Sequence, residues 1–238
     1  MERTLQLLGT GEVRRLQQAH VLVAGLGGVG SMAAEMLVRA GIGTLTLADS
    51  DRVQLSNINR QLPALHSTQG QPKTTVMARR LKDINPELTL HCVETFLGET
   101  SIDTLLSQHP YDYVVDAIDT LTPKIELIRQ SVTRNLALTS SMGSGGKTDP
   151  TKIGIADFGK TYNCRLAYIL RKKLRKMGVT GGFRVVFSTE LVDKERVIPV
   201  EGERNKKSNL GTVPYVPAIF GCMLAAVAVE DIAGLSRS

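Results

Sequence analysis

Short apolar runs alternate with amphipathic segments through the first 141 residues. Runs rich in Val, Leu, Ile and Ala predict buried strands, while apolar positions that recur every three or four residues predict helices. The order strand, helix, strand predicts an α/β fold with a doubly wound, mostly parallel sheet. The predicted strands are Val21–Ala24, Thr44–Ala48, Thr89–Glu94, Tyr113–Asp116 and Ala137–Ser141, and the predicted helices are Ser31–Ala40, Lys73–Ile84, Ile102–Gln108 and Pro123–Asn135.

The pattern changes after Ser141, where Met142–Thr151 is rich in glycine and small polar residues and predicts a loop. Further strands are predicted at Ile153–Asp157 and Arg184–Ser188, with a helix at Cys164–Met177 between them. The helical spacing places one set of apolar side chains on a common buried face. These are Leu166, Leu170, Leu174 and Met177.

Two more segments follow towards the C-terminus. Asp193–Asn209 is polar and charged, and we expect a mobile loop that closes over a substrate. Val213–Val229 is apolar but contains Pro214 and Pro217, so its uninterrupted part, Ala218–Val229, has only twelve residues. Because this is too short to cross a bilayer easily, we expect a core or oligomer-interface helix and no stable membrane insertion; a membrane-dipping helix is the alternative.

The composition of the chain limits which cellular compartment and which kinds of metal or disulfide site are expected. The charged fraction of 22% is ordinary for a soluble protein. Cys92, Cys164 and Cys222 are scattered and form no CxxC pair, which argues against a disulfide framework or a structural zinc site. The N-terminus carries no apolar signal segment, so we expect a cytoplasmic protein.

The net charge of +6 is compatible with an anionic partner. The predicted helix Cys164–Met177 carries a run of cations without an acidic residue, which indicates either a phosphate-binding face or an ordinary solvated face. The aromatic content of 4% gives little support to base stacking on an exposed ring. The candidate phosphate contacts are Arg165, Arg171, Lys172, Arg175 and Lys176, with Lys173 at the border.

A glycine loop, Gly25-x-Gly27-x-x-Gly30, follows the first predicted strand and opens the first long helix. Glycine lets the backbone approach a phosphate, and the free amides of the helix start attract the anion. Asp49 lies where the acid that binds a ribose is expected, so the loop alone favours a dinucleotide cofactor. A tight turn without a ligand is the structural alternative.

The residues after Asp49 point to different chemistry. Asp51, Ser56, Asn57, Arg60, Gln61 and Lys73 follow in order. Arg and Lys stabilise the negative charge that develops when a pyrophosphate leaves, whereas a pyrophosphate that is only carried needs little beyond amides. Each cation alone could be a solvated surface residue. Asp116 and Asp119 end another strand, where they could hold Mg²⁺ or cap the next helix.

Taken together, these motifs resemble the adenylating enzymes that activate ubiquitin-like proteins. The resemblance rests on Gly25–Gly30, Asp49-x-Asp51, Ser56-Asn57-x-x-Arg60-Gln61, Gly70-Gln71-Pro72-Lys73 and Asp116-Ala117-Ile118-Asp119. The second half resembles the tRNA threonylcarbamoyladenosine dehydratase branch, through Asp149-Pro150-Thr151-x-Ile153, Lys160-Thr161 and Phe187-Ser188-Thr189-Glu190. Asn163-Cys164-Arg165 departs from that branch, which more often has an acidic residue and a proline there.

The resemblance implies a single Rossmann-like adenylating domain over residues 1–238, with a nucleotide-binding core at 1–141. It implies a C-terminal extension at 142–238 for substrate and dimer contacts. The activity it implies uses ATP and Mg²⁺ to adenylate the threonyl carboxylate of threonylcarbamoyladenosine in tRNA. The carbamoyl group then closes a ring, AMP leaves, and water is lost overall.

The resemblance also assigns residues to roles. It places Gly28 on the phosphates, Asp49 on the ribose, and Asp119 at the metal. Asn57, Arg60 and Lys73 belong at the triphosphate, and Arg3 would enter the site from the second protomer of a homodimer. The implied catalytic residues are Arg60, Lys73, Asp119 and Arg3, and the implied cofactor contacts are Gly25, Gly27, Gly28, Gly30, Asp49, Asp51, Ser56, Asn57, Arg60, Gln61, Lys73, Asp116, Ile118 and Asp119.

Two other functions stay open at this point. An activator of a carrier protein would usually need an acceptor thiol, and residues 204–209 contain no cysteine; sulfur-relay partners remain an option. An NAD-binding scaffold would leave Arg60 and Lys73 without a role.

Overall fold

The computed structural model describes residues 2–192, 197–199 and 208–235. Most of the predicted loop Asp193–Asn209 lies outside these residues. The described residues of this region form two short strands: β8 (Val197–Pro199) pairs antiparallel with β9 (Ser208–Leu210).

The centre of the molecule is a seven-stranded sheet in the order β3-β2-β1-β4-β5-β7-β6. All neighbouring strands run parallel except β6, which pairs antiparallel with β7. This confirms the predicted α/β fold with a mostly parallel, doubly wound sheet. The strands are β1 (His20–Ala24), β2 (Thr44–Ala48), β3 (Thr89–Val93), β4 (Tyr113–Asp116), β5 (Leu138–Ser141), β6 (Ile153–Asp157) and β7 (Arg184–Ser188).

Helices cover both faces of the sheet, and each face has its own apolar core. One core joins the sheet to α2, α3, α4 and α8, and the other joins it to α5, α6 and α7. Two apolar faces explain why the central strands are buried on both sides and contain near-continuous apolar runs. The helices are α1 (Glu2–Leu8), α2 (Thr10–Gln18), α3 (Gly30–Ala40), α4 (Lys73–Ile84), α5 (Glu99–Gln108), α6 (Leu121–Thr133), α7 (Arg165–Arg175) and α8 (Tyr215–Ala233).

The two N-terminal helices were not predicted. Only Val13 and Leu16 of α2 are buried, and α1 has no buried residue, so the apolar period is too sparse to indicate a helix. Tertiary contacts hold α2 in place: the Arg15 guanidinium donates to the Ala233 carbonyl at 3.0 Å (Nε).

The C-terminal helix is longer than the twelve residues expected. Pro217 is the third residue of α8, within the first turn, where an amide donor is not needed, so proline does not break the helix. At 19 residues α8 is long and apolar enough to cross a membrane, which overturns the length argument. Half of its most apolar stretch is nevertheless buried inside the protein. It packs closely on α3, because a Cβ on Gly221 would lie 2.4 Å from the Val29 carbonyl oxygen.

Helix α7 confirms the predicted buried face only in part. Leu170 and Leu174 are fully buried and Leu166 is half-buried. The helix ends at Arg175, two residues earlier than expected, and a left-handed Gly178 turns the chain back. Met177 therefore leaves the apolar face and is exposed.

Candidate nucleotide-binding and active site

Three loops meet at the carboxyl ends of the parallel strands, where open α/β sheets bind ligands. The glycine loop follows β1, Asp49 follows β2, and Asp116–Asp119 ends β4. Backbone hydrogen bonds join them: Gly25 N–H donates to Ala48 O and Ala117 N–H donates to Ala24 O.

The glycine loop is tightly packed where glycine is required. Gly25 has a left-handed φ of +88°, and a Cβ there would lie 2.9 Å from the Ala117 carbonyl oxygen. A Cβ on Gly28 would lie 2.8 Å from the Arg60 carbonyl oxygen. The loop is thus fixed between the β4 end and the segment that carries Arg60, so these predicted site residues are neighbours.

Asp49 holds the glycine loop to the next loop. Its carboxylate accepts hydrogen bonds from the Leu26 amide at 2.6 Å and from the Asp51 amide at 2.7 Å. Burial raises the pKa of Asp49, and the nearby Lys73 charge and the two amides oppose that rise. The carboxylate therefore lies beside the loop amides, as a ribose-binding acid in this fold would.

Lys73 is a buried cation at the first position of α4. Its side chain is only 5% exposed, and its Nζ lies 2.8 Å from Oδ2 of the exposed Asp51. A cation at a helix N-terminus is unfavourable because the free amides already carry positive potential. Asp51 offsets that cost, and the arrangement concentrates positive charge where an anion can bind.

Arg60, Ser56 and Asn57 lie on the segment that packs against Gly28. The Arg60 guanidinium Nη1 donates to Ser56 O at 3.0 Å and to Asn59 Oδ1 at 2.8 Å. Asn57 is buried, and its Oδ1 accepts a hydrogen bond from the Gln54 amide. Among the described residues, the hydrogen-bond partners of the Arg60 guanidinium are neutral, which leaves its charge available to an anionic ligand.

Gln61 supplies an observation that suits a bound nucleotide. It is buried, and among the described residues its Oε1 has no hydrogen-bond partner. Its Nε2 would lie 3.8 Å from a Cβ on Gly27, so the side chain faces the glycine loop. A buried amide oxygen without a partner is costly, and a ligand donor would remove that cost.

Asp116, a predicted cofactor contact, lies inside a network of protein groups. It is fully buried and its Oδ2 lies 2.7 Å from Lys124 Nζ and 2.6 Å from Ser140 Oγ, which donates to it. Oδ1 accepts the Ile118 amide at 3.1 Å. Both carboxylate oxygens therefore contact groups of the protein, and the N-cap of α6 is Thr120 instead. Lys124 also donates to Ile118 O at 2.9 Å and so fixes the turn before Asp119.

Sequence reasoning gave no role to Lys124 or Ser140. The available signal was the position of Lys124: it lies in the first turn of a helix, directly after Pro123, where a cation is unusual.

Asp119 is exposed at the same edge of the sheet. Within the described ranges, no three His, Cys, Asp or Glu side chains form a group that could hold a metal.

A second pair of residues that sequence reasoning missed fixes the loop after β5. Lys147 is buried, and its Nζ donates to the carbonyls of Glu190, at 2.7 Å, and Ser188. The Glu190 carboxylate in return accepts the amides of Thr148 and Asp149. Burial lowers the pKa of Lys147. The two side chains thus clasp this loop to the end of β7.

The remaining predicted residues lie on α1, on α7 and just after α7. Arg3 is exposed on α1, and in the described part of the chain no hydrogen bond or ion pair joins it to the site. On α7 the side chains of Arg165, Lys172, Arg175 and Lys176 are exposed. Arg171 is the exception, because its guanidinium donates to Thr161 Oγ1 and is half-buried.

Comparison with known proteins gives consistent matches. The tRNA threonylcarbamoyladenosine dehydratase of Bacillus subtilis (strain 168) is 40% identical over 232 residues, which cover 94% of this chain and 91% of that protein. The molybdopterin-synthase adenylyltransferase of Escherichia coli (strain K12) is 32% identical over 149 residues, 63% of this chain and 59% of that protein.

Among solved structures, the E. coli tRNA N6-threonylcarbamoyladenosine dehydratase TcdA in complex with ATP is similar to this chain with a TM-score of 0.88. The identity is 36%, and the match covers 98% of this chain and 93% of that one. The family described as the ThiF family matches residues 1–237. The chain therefore belongs to the ThiF family.

Proposed function

We propose that this protein is an ATP-dependent tRNA threonylcarbamoyladenosine dehydratase. The observation that carries the proposal is the buried cation Lys73, paired with the exposed Asp51, together with a glycine loop that contacts the Arg60 segment. A nucleotide that is only bound does not need the two cations Lys73 and Arg60. A nucleotide that is cleaved needs them, because they stabilise the charge on the leaving pyrophosphate. The high similarity of the full chain to named dehydratases supports the same activity.

ATP fits the residues present, because the glycine loop leads into the N-terminus of α3 and because Gln61 Oε1 is a buried acceptor without a partner among the described residues. ATP would supply the adenylyl group: the threonyl carboxylate attacks the α-phosphate, pyrophosphate leaves, and AMP becomes the leaving group when the carbamoyl group attacks the activated carboxyl carbon and closes the ring. Gly28 and Asn57 bind the phosphates, and Asp49 binds the ribose. Lys73 and Arg60 stabilise the charge on the departing pyrophosphate.

Mg²⁺ is part of this proposal through Asp119. A single exposed carboxylate suits a metal that arrives with the nucleotide, since Mg²⁺ keeps several waters and takes one or two protein carboxylates besides phosphate oxygens. Asp116 holds the Asp119 turn in place through Lys124 and does not coordinate the metal itself.

The protein needs no nucleophile of its own in this reaction, because the attacking carboxylate and the carbamoyl group both belong to the tRNA nucleoside. This distinguishes it from an activator of a carrier protein, which is the second candidate. The second candidate is weaker because the similarity to the molybdopterin-synthase adenylyltransferase covers 63% of the chain, against 94% for the Bacillus subtilis dehydratase. We place the reaction in the cytoplasm.

A homodimer in which Arg3 completes the partner's site belongs to the proposal. Helix α1 carries the exposed side chains of Leu5 and Leu7, the latter 83% exposed, which is unusual for an isolated surface helix. The outer side of α8 is also apolar and only partly covered, at Ile219, Met223 and Ala226. A second copy of the chain would cover these surfaces.

The deciding experiment incubates the protein with ATP, Mg²⁺ and tRNA that carries threonylcarbamoyladenosine. We expect the modified nucleoside to lose the mass of one water, with AMP and pyrophosphate released. The second candidate would be established instead if a carrier peptide that ends in Gly-Gly supported ATP–pyrophosphate exchange by the enzyme while the tRNA stayed unchanged. Calorimetric titration with ATP and with NAD tests the remaining redox alternative, which requires NAD to bind more tightly.

A further inference from the structure

Helix α7 starts at the edge of the sheet that carries the nucleotide site. Asn163, just before α7, donates from Nδ2 to the carbonyl of Thr189, which follows the carboxyl end of β7. Cys164 Sγ would lie 3.7 Å from a Cβ on Gly143, which follows β5. From there α7 runs back along the sheet, so its exposed face extends away from the nucleotide site.

The outward face of α7 carries a stripe of four residues, Arg165, Tyr168, Lys172 and Arg175, which we call the α7 stripe. Their spacing of three, four and three residues places them in one line on a helix. All four are exposed, whereas Ala167, Leu170 and Leu174 on the other side are buried.

Tyr168 is the unusual member of the α7 stripe. Its side chain is 60% exposed, and within the described residues it makes no ring contact. Tyr162 is 57% exposed as well, but its ring packs edge-to-face on Phe187 at 5.6 Å. Packing therefore explains the position of Tyr162 and does not explain that of Tyr168.

The charge around Tyr168 is positive along the whole helix. No acidic residue occurs between Arg165 and Lys176. On α6, which packs against α7, the acid Glu126 is already paired with Arg129 and Gln130. Within the part of the chain that the structure describes, Arg165, Lys172 and Arg175 form no ion pair. An aromatic face bordered by such cations suits single-stranded nucleic acid, because every base can stack on the ring while the phosphates contact the cations.

We propose that Tyr168 stacks an unpaired base of the tRNA while Arg165, Lys172 and Arg175 bind the phosphates on either side. This inference rests on the proposed function, since it names the surface that holds that substrate. The set of phosphate-binding cations is smaller than the sequence predicted, because Arg171 donates to Thr161 and lies outside the α7 stripe. The inference also adds the aromatic residue that the low aromatic content argued against.

The test measures equilibrium binding of tRNA carrying threonylcarbamoyladenosine, together with KM and kcat for loss of water. We expect Tyr168→Ala to weaken binding by about tenfold, as for loss of one stacked base, and to raise the KM for tRNA with kcat and ATP binding unchanged. Tyr168→Phe keeps the ring and should bind within about twofold of wild type. Tyr168 is exposed, so neither change threatens the fold.

Charge is tested separately with Lys172→Glu against Lys82→Glu, a matched change on the exposed end of α4. We expect Lys172→Glu to weaken tRNA binding and to reduce the slope of log affinity against log salt by about one. Lys82→Glu should leave the slope as in wild type.

The outcomes separate the two proposals. If wild-type protein forms the dehydrated nucleoside but Tyr168→Ala and Lys172→Glu bind tRNA like wild type, the α7 stripe is not the RNA surface and only this inference fails. If Tyr168→Phe loses as much affinity as Tyr168→Ala, stacking is refuted. If the wild type neither binds tRNA nor forms product, the proposed function fails and this inference fails with it.

Discussion

At the scale of single residues, the site is defined by where charge is buried. Lys73 and Lys124 are both almost fully buried lysines in the first turn of a helix, each paired with an aspartate. They differ in their partners, because Asp51 is exposed while Asp116 is not. Lys73 can therefore turn to an anionic ligand at low cost, whereas Lys124 is confined to a structural pair.

The first prediction concerns Lys73. Lys73→Ala should lower the rate of product formation by about 10²- to 10³-fold, as for other groups that stabilise transition-state charge. The midpoint of thermal unfolding should stay close to that of wild type, because its partner Asp51 is exposed. Arg60→Ala should lower the rate to a similar extent. Lys82→Ala, on the same helix as Lys73, is the control and should keep the wild-type rate. Wild-type rates in both site variants would rule out pyrophosphate release at this edge.

The second prediction concerns the buried pair of Lys124 and Asp116. Lys124→Met leaves a buried carboxylate without its cation, and we expect the free energy of unfolding to fall by about 3–5 kcal/mol in urea titrations. The double change Asp116→Asn with Lys124→Met removes both charges and should recover a large part of that loss. An equal loss in both variants would mean that packing, not the uncompensated charge, determines the effect.

At the scale of elements, local patterns predicted most strands, because each needs only a run of apolar residues. Four strands match the predicted boundaries, and β1, β3 and β5 differ by a residue at one end. The glycine loop and the acidic residues that follow the strands could also be recognised from the sequence. The links that fix the site could not, because they depend on how elements pack: Asp116 meets Lys124 of α6 and Ser140 of β5 only in the folded sheet.

The opposite edge of the sheet brings together three of the four histidines. His20 on β1, His91 on β3 and His109 after α5 have ring centroids 4.4–5.5 Å apart. Burial lowers the pKa of His20 to about 4, with further lowering from His109 and His91, and Asp112 opposes this in part. Burial, and after it the charge of His109, also lower the pKa of His91.

The third prediction follows from this cluster. Between pH 6.5 and 4 the unfolded chain binds a proton at His20 that the folded protein does not bind, so stability falls as the pH falls. Because the ring is half exposed, we expect on the order of 1 kcal/mol, or about 2–4 °C in the unfolding midpoint, between pH 7 and pH 5.

Differential scanning calorimetry of His20→Asn checks this, with His66→Asn, outside the cluster, as the control. The slope of the midpoint against pH should flatten in His20→Asn and persist in His66→Asn. Identical slopes in both variants would assign the pH dependence to other groups.

At the scale of the whole molecule, the proposed homodimer makes each site depend on two chains. The fourth prediction uses this dependence. Arg3→Ala and Lys73→Ala should each be inactive alone, but an equal mixture that exchanges subunits should regain about a quarter of wild-type activity, because half of the dimers hold one intact site. Formation of product by mass spectrometry is the measurement. No recovery, with subunit exchange verified by size-exclusion chromatography of tagged chains, would place Arg3 in its own chain's site.

The packing of α8 has a consequence for the order of events during synthesis. Every residue assigned to the nucleotide comes from the first half of the chain, yet the glycine loop is backed by the last helix: a Cβ on Gly28 would lie 3.1 Å from Pro217 Cβ, and Gly221 contacts the Val29 carbonyl. A ribosome that has already made all of these residues has not yet made the helix that supports them. Nascent chains should therefore remain unable to hold ATP until α8 has been made and packed, which keeps a half-made enzyme from consuming it.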